Sequence, residues 1–123
     1  MQITVKHTAL EENWPEINEY VEMRFRGLEK ILKHWDGEGA LELRIELART
    51  TKHHSKGDVY YAEANLTLPG NVLRSEATLH DIRAAVDEAY DGLKLQVEKY
   101  RDSRLTKIRR GARFLKRLFR GEK

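Results

Sequence analysis

The chain has no cysteine, which excludes disulfides and thiolate chemistry. It also has no long apolar run. Its longest uncharged stretches fall far short of the roughly 20 apolar residues that cross a bilayer. The N-terminus, Met-Gln-Ile-Thr-Val-Lys, alternates where a signal peptide would be continuously apolar. These features predict a soluble, cytoplasmic protein. Catalytic motifs are missing too: there is no Gly-rich phosphate loop, no G-x-S-x-G and no H-E-x-x-H. His53-His54 resembles a ligand pair, but adjacent residues in a polar loop do not converge on one metal without further ligands. Asp87, Glu88 and Asp91 crowd one part of a helix, where Lys94 balances them as a solvated face. The expectation is therefore no enzyme, no metal, no cofactor and no small-molecule substrate.

What the sequence has is charge, unevenly placed. Of 123 residues, 35% are charged, and the net charge is +3. From Arg104 onward there are nine basic residues and one acid, Glu122, a net of +8 that leaves residues 1–103 at −5. The length suits one domain with a core of its own. The division read from charge is a domain at 1–103 and a basic, amphipathic or disordered tail at 104–123. Such asymmetry points to a polyanionic partner, nucleic acid or an anionic membrane.

Hydrophobic periodicity supplies the elements. Ile3 and Val5 alternate with polar residues in a short first strand. Asn13 is placed to cap a helix, and Pro15 fits its first turn. Ile17, Val21, Phe25, Leu28, Leu32 and Trp35 then recur at helical spacing, predicting one long helix that breaks at Asp36-Gly37-Glu38-Gly39. Leu41, Leu43, Ile45 and Leu47 alternate with Glu42, Arg44 and Glu46, the clearest period-2 signal in the chain. A polar loop follows, then a strand in which Tyr60, Ala62, Ala64, Leu66 and Leu68 alternate with Tyr61, Glu63, Asn65 and Thr67. Pro69-Gly70-Asn71 reads as a turn, and Val72 to Ala77 as a short strand with an ambiguous face. Thr78 is expected to cap a second helix, with Asp81 as a weak capping box. Ile82, Ala85, Val86, Ala89, Leu93, Val97 and Tyr100 form its stripe to about Ser103. No internal repeat is present. The order β-α-β-β-β-α predicts an α+β fold: a four-stranded mixed sheet with two helices on one face and a solvated opposite face carrying Glu42, Arg44, Glu46, Tyr61, Glu63, Asn65 and Thr67.

In the tail, Arg109, Arg110, Arg113, Lys116, Arg117 and Arg120 fall on one side of a helix at about 100° per residue. Ile108, Ala112, Leu115, Leu118 and Phe119 fall on the other. Arg104 and Lys107 break the pattern, and Gly111 weakens the helix by roughly 1 kcal/mol relative to alanine. The segment suits an anionic membrane surface, a phosphate backbone or a solubilising disordered tail. Arginine outnumbers lysine six to three, which favours phosphate because its fork binds bidentately.

The element order, the helix "YVEMRFRGLEKI" and above all "LRSEATLHDIRAAVDEAYDGLKLQVEKY" resemble the bacterial ribosome hibernation-promoting factor and ribosome-associated inhibitor family. The similarity covers roughly residues 1–102. Its most specific pieces are Leu28-Glu29-Lys30 and "HDIRAAVDEA". The resemblance implies a double-stranded-RNA-binding-like fold. It also implies a factor that occupies the messenger and transfer RNA channel of the small ribosomal subunit, inhibits translation and preserves idle ribosomes without catalysis. The few residues after the second helix match a short form, expected to be monomeric off the ribosome. Arg24, Lys30 and Lys99 match basic positions of the family pattern, and the candidate rRNA contacts on the domain are Arg24, Arg26, Lys30, Lys33, Arg83, Lys94, Lys99 and Arg101. The charge argument adds Arg104, Lys107, Arg109, Arg110, Arg113, Lys116, Arg117 and Arg120. Gly27, Gly92 and Leu95 stand where the family pattern carries basic residues, and Ile82-Arg83 replaces Met-Tyr. The basic tail is positioned to make up for those missing cations. The alternatives are an RNA- or DNA-binding module without ribosome specificity, or a membrane-surface adaptor acting through the tail.

Overall fold

The computed structural model describes residues 1–35, 37, 41–51 and 57–120. Strand β1 (Gln2–Thr8) leads through a 3-10 turn (Glu11–Asn13) into helix α1 (Trp14–Arg26), and a short helix α2 (Glu29–Leu32) continues into a second 3-10 turn (Lys33–Trp35). Strands β2 (Glu42–Thr51), β3 (Asp58–Leu68) and β4 (Asn71–Leu79) follow, then helix α3 (Ile82–Phe119). The sheet order is β1-β2-β3-β4. β1 and β2 are parallel, and the other two pairs are antiparallel. Two helices on one face of a mixed four-stranded sheet is the architecture expected.

The register explains the alternation. Val5, Ile45 and Ala64 lie in one cross-strand row, and Ile3, Leu43 and Leu66 in another. Leu41, Leu43, Ile45 and Leu47 are all buried, as are Ala62, Ala64, Leu66 and Leu68. They face Val21, Phe25 and Leu28 from the first helical segment and Val86, Leu93 and Val97 from α3. Each fully buried aliphatic or aromatic side chain contributes about 1.5–3 kcal/mol relative to exposure. On the opposite face Glu42, Arg44, Glu46 and Thr67 are exposed, while Tyr61, Glu63 and Asn65 are half-buried.

Four local expectations need correction. The first helix is not one piece. At Gly27 the backbone turns to i→i−3 bonds, Gly27 N–H to the Arg24 carbonyl (3.3 Å) and Leu28 N–H to that of Phe25 (3.0 Å), before α2 resumes. The stripe survives the break, since Phe25, Leu28 and Leu32 all stay buried. Thr78 is not a cap, because β4 runs on past it and pairs it with Tyr61. The cap is Asp81, extended at φ −137°, whose carboxylate accepts from Ala84 N–H at 2.9 Å. β4 is longer than expected and buries Leu73 and Ala77. Finally, α3 does not stop near Ser103. It continues 38 residues to Phe119, about 57 Å at 1.5 Å per residue, with Gly111 inside it. Asn13 does precede α1, but its side chain makes no capping bond. Gly70 takes φ +72° in the turn between β3 and β4, a conformation that favours glycine. His53-His54 and all of the Asp36–Gly39 break except Gly37 lie outside the described residues.

Candidate nucleic-acid interface

The basic residues singled out in the sequence divide into those the fold ties down and those it leaves for a partner. Arg24 belongs to the first group. Its Nε lies 3.2 Å from Asp87 and its Nη2 3.9 Å from Asp91, with the guanidinium 4.6 Å from the Tyr90 ring centre. Tyr20 donates its hydroxyl to the same Asp87 carboxylate, and Arg83 lies 5.3 Å from the Tyr20 ring centre. This network joins α1 to α3. The hydrogen bond to Asp87, then partial burial and the Asp87 charge, push the Tyr20 phenol above its usual range against the opposing pull of Arg24 and Arg83. Arg26 donates to the Met1 carbonyl (3.0 Å) and pairs with Glu29. The structure thus gives Arg24, Arg26 and Arg83 intramolecular work that sequence spacing does not reveal.

The second group lies on α2, on the 3-10 turn that follows it and on α3 from Lys94 onward. Lys30, Lys33, Lys94, Lys99 and Lys107 are all exposed. None has a carboxylate partner among the described residues. Two clefts flank α3. One, of about 470 Å³, lies against the β3–β4 turn and is lined by Gly70, Asn71, Gln96, Lys99, Tyr100, Arg104 and Lys107 among others, with no acid among its described lining residues. Arg104 is fixed there, 5.1 Å from the Tyr100 ring centre and donating to the Pro69 carbonyl at 3.2 Å. The other, of about 710 Å³, lies against α2 and is lined by Lys30, Ile31, Trp35, Arg101, Asp102, Leu105 and Ile108. Arg101 Nε is 3.3 Å from Asp102. A band of cations thus crosses α3 near residues 99–107 and runs into Arg109, Arg110, Arg113, Lys116, Arg117 and Arg120, all exposed on the projecting end of the helix.

The open face of the sheet carries both signs of charge. One cross-strand row there reads Lys6, Glu46, Glu63, Glu76. Arg74 is taken up by Glu63 (2.6 Å) and Glu76 (3.1 Å), and Tyr61 donates to Glu76 at 2.9 Å.

Sequence reasoning missed several contributors to this surface. Gln96 clasps the edge of β4 with its amide, donating to the Arg74 carbonyl (2.5 Å) and accepting from Arg74 N–H (3.3 Å). Tyr100, read only as a core position, is also the platform under Arg104. Gly27 and Gly92 are tightly packed. A methyl group on Gly27 would lie 3.0 Å from the Tyr90 hydroxyl and 3.2 Å from the Arg24 carbonyl, and one on Gly92 would collide with Ser75 Oγ. Leu95 is exposed, and nothing in the structure explains the absence of a cation there. Among the described residues no cluster of three or more His, Asp or Glu side chains could hold a metal, and no helix is long and apolar enough to cross a membrane.

Residues 1–105 match the model of the family described as Sigma 54 modulation protein / S30EA ribosomal protein. A ribosome hibernation promoting factor from Acinetobacter guillouiae is 31% identical over 107 residues, covering 85% of this chain and 91% of the relative. The crystal structure of the Thermus thermophilus Protein Y N-terminal domain superposes with a TM-score of 0.64 at 28% identity, covering 81% of this chain and 99% of that one. A ribosomal subunit interface protein from Coxiella burnetii shares the fold, with a TM-score of 0.62 at 19% identity, covering 83% and 99%.

Proposed function

The chain belongs to the Sigma 54 modulation protein / S30EA ribosomal protein family, and on that premise we propose how it works: it is a ribosome-associated hibernation factor that seats its helix side on rRNA of the small subunit. It occupies the channel used by messenger and transfer RNA, blocks translation by occupancy rather than by catalysis, and protects idle ribosomes in the cytoplasm. The observation that carries this reading is the band of cations that crosses α3 near residues 99–107 and continues along its projecting end. Lys99, Arg104 and Lys107 line the cleft against the β3–β4 turn, which has no acid among its described lining residues, and the cations continue from there along the projecting helix. Phosphate contacts fix register and orientation on RNA without reading sequence, which suits a factor that recognises one structured site by shape.

The projecting end of α3 adds to this. Six cations on a helix can each neutralise a phosphate and release counterions, standing in for the cations absent at Gly27, Gly92 and Leu95. Co-sedimentation tests the proposal. The protein should travel with small subunits or whole ribosomes in a stationary-phase lysate, and should compete with messenger RNA and initiator transfer RNA for purified small subunits. Travel with free RNA but not with ribosomal particles would favour the alternative of a nucleic-acid-binding module without ribosome specificity.

A further inference from the structure

The family match ends at residue 105, yet α3 continues to Phe119. The cations of this extension suit RNA, but its apolar side has no such use. At about 100° per residue, Ile108 and Leu115 prolong the line of Val97, which is buried on the sheet. The β3–β4 turn reaches only as far as Arg104. Past it the stripe is bare, with Ile108 64% and Phe119 89% exposed.

We propose that this apolar stripe, with the cleft at its root, is a docking groove for an acidic amphipathic helix of a partner protein. The groove has two walls where it begins. Leu105 and Ile108 of α3 face Ile31 and Trp35 across a cleft of about 710 Å³, the shape that receives an apolar helix ridge with anchors at i, i+3, i+4 and i+7. Charge selects the partner. Lys30 and Arg101 stand at the cleft, and Asp102, the one carboxylate among its described lining residues, is already beside Arg101 at 3.3 Å. The ridge that fits is therefore apolar with carboxylate shoulders. A second copy of this chain would bring a like-charged tail of +8. A bilayer is locally flat and does not enter a cleft, and RNA offers no aliphatic ridge. An isolated helix of this length is marginal in water, so docking would also hold the projecting end of α3 in helical form. The inference does not depend on ribosome binding.

The test uses the full chain and two labelled synthetic helices with the same leucine ridge, one flanked by glutamate and one by lysine. Anisotropy titrations should show the Glu-flanked helix binding at least tenfold more tightly. The double variant Leu105→Gln/Ile108→Gln alters exposed positions and should retain its circular dichroism and its ribosome pelleting while losing at least tenfold in peptide affinity. The charge reversal Lys30→Glu/Arg101→Glu should invert the preference between the two helices. Equal affinities, no binding of the Glu-flanked helix, or indifference to the glutamine substitutions would each overturn the proposal. So would binding to phosphatidylglycerol vesicles that needs Ile108 when the Glu-flanked helix does not.

Discussion

Gly92 of α3 lies directly against Ser75 of β4, so close that a methyl group on Gly92 would overlap the serine hydroxyl. Any side chain at this position must displace that hydroxyl. Two opposed effects follow. Alanine in a helix interior is favoured over glycine by about 1 kcal/mol, but Ser75 Oγ must move to admit it.

Gly92→Ala alone should therefore gain much less than that propensity difference, or lose stability. In a Ser75→Ala background it should recover about 1 kcal/mol, giving a coupling of about 1 kcal/mol in a double-mutant cycle. Gly92→Lys should destabilise by about 1–3 kcal/mol through overpacking. Urea denaturation of the four cycle members measures this. Additive effects would show that the contact is not constraining.

Sheet register makes a second prediction. Ile45 is 1% exposed in the central row, and Glu46 points to the open face opposite Glu63. Ile45→Asp should cost several kcal/mol, because an unpaired charge enters the core. Glu46→Gln should change stability by less than about 0.5 kcal/mol. Comparable denaturation midpoints for the two would contradict the register.

The Tyr20–Asp87 bond predicts a pH response. The Tyr20 phenol titrates above its ordinary value of 10.0, with the hydrogen bond to Asp87 the largest cause. Because the raised pKa belongs to the folded state, the stabilisation is fully present below about pH 10 and is lost as the pH rises through the folded value. Arg24 and Asp87 are both well exposed, at 39% and 40%, so the pair is worth no more than about 1 kcal/mol. Asp87→Asn, in a Tyr61→Phe background that removes the other raised tyrosine, should return Tyr20 toward the ordinary range in an ultraviolet titration. An unchanged titration curve would mean that Asp87 is not the cause.

The projecting end of α3 should be dispensable for folding. Residues 108–120 are exposed and contribute no buried side chain. Removing residues 109–123 should shift stability by less than about 1 kcal/mol and turn the remaining chain acidic. A large loss of stability would show that the projection is part of the core.

What the sequence made legible follows from which forces are local. The alternation from Leu41 to Leu47 gave strand, face and burial together, because a period of two has one structural meaning when one side is apolar. The stripes of α1 and α3 were equally plain. Gly27 and Gly92 were opaque, since what requires them, the Tyr90 hydroxyl and Ser75, lies far away in sequence. The same distance hid the fate of Arg24, whose partner Asp87 is 63 positions on. Thr78 was expected as the cap on local grounds, but it pairs across the sheet with Tyr61, and Asp81 takes that role. The continuation of α3 was obscured by Gly111 and by dense positive charge, although the helical stripe runs through both. Of the candidate interface, the cations could be counted but not sorted into clamped and available.

The most direct test is the salt dependence of binding to purified small ribosomal subunits, compared between the two faces. Binding through phosphates predicts that log affinity falls linearly with log salt, by roughly 0.7–0.9 for each phosphate neutralised. Changing Lys99, Arg104 and Lys107 to Gln should weaken binding and lower the slope by about 2–3. Changing Lys6 and Arg44 on the sheet face should leave both affinity and slope unaltered. A flat salt response, or a slope that falls with the sheet-face substitutions and not with those beside α3, would contradict the assignment of the helix side to RNA.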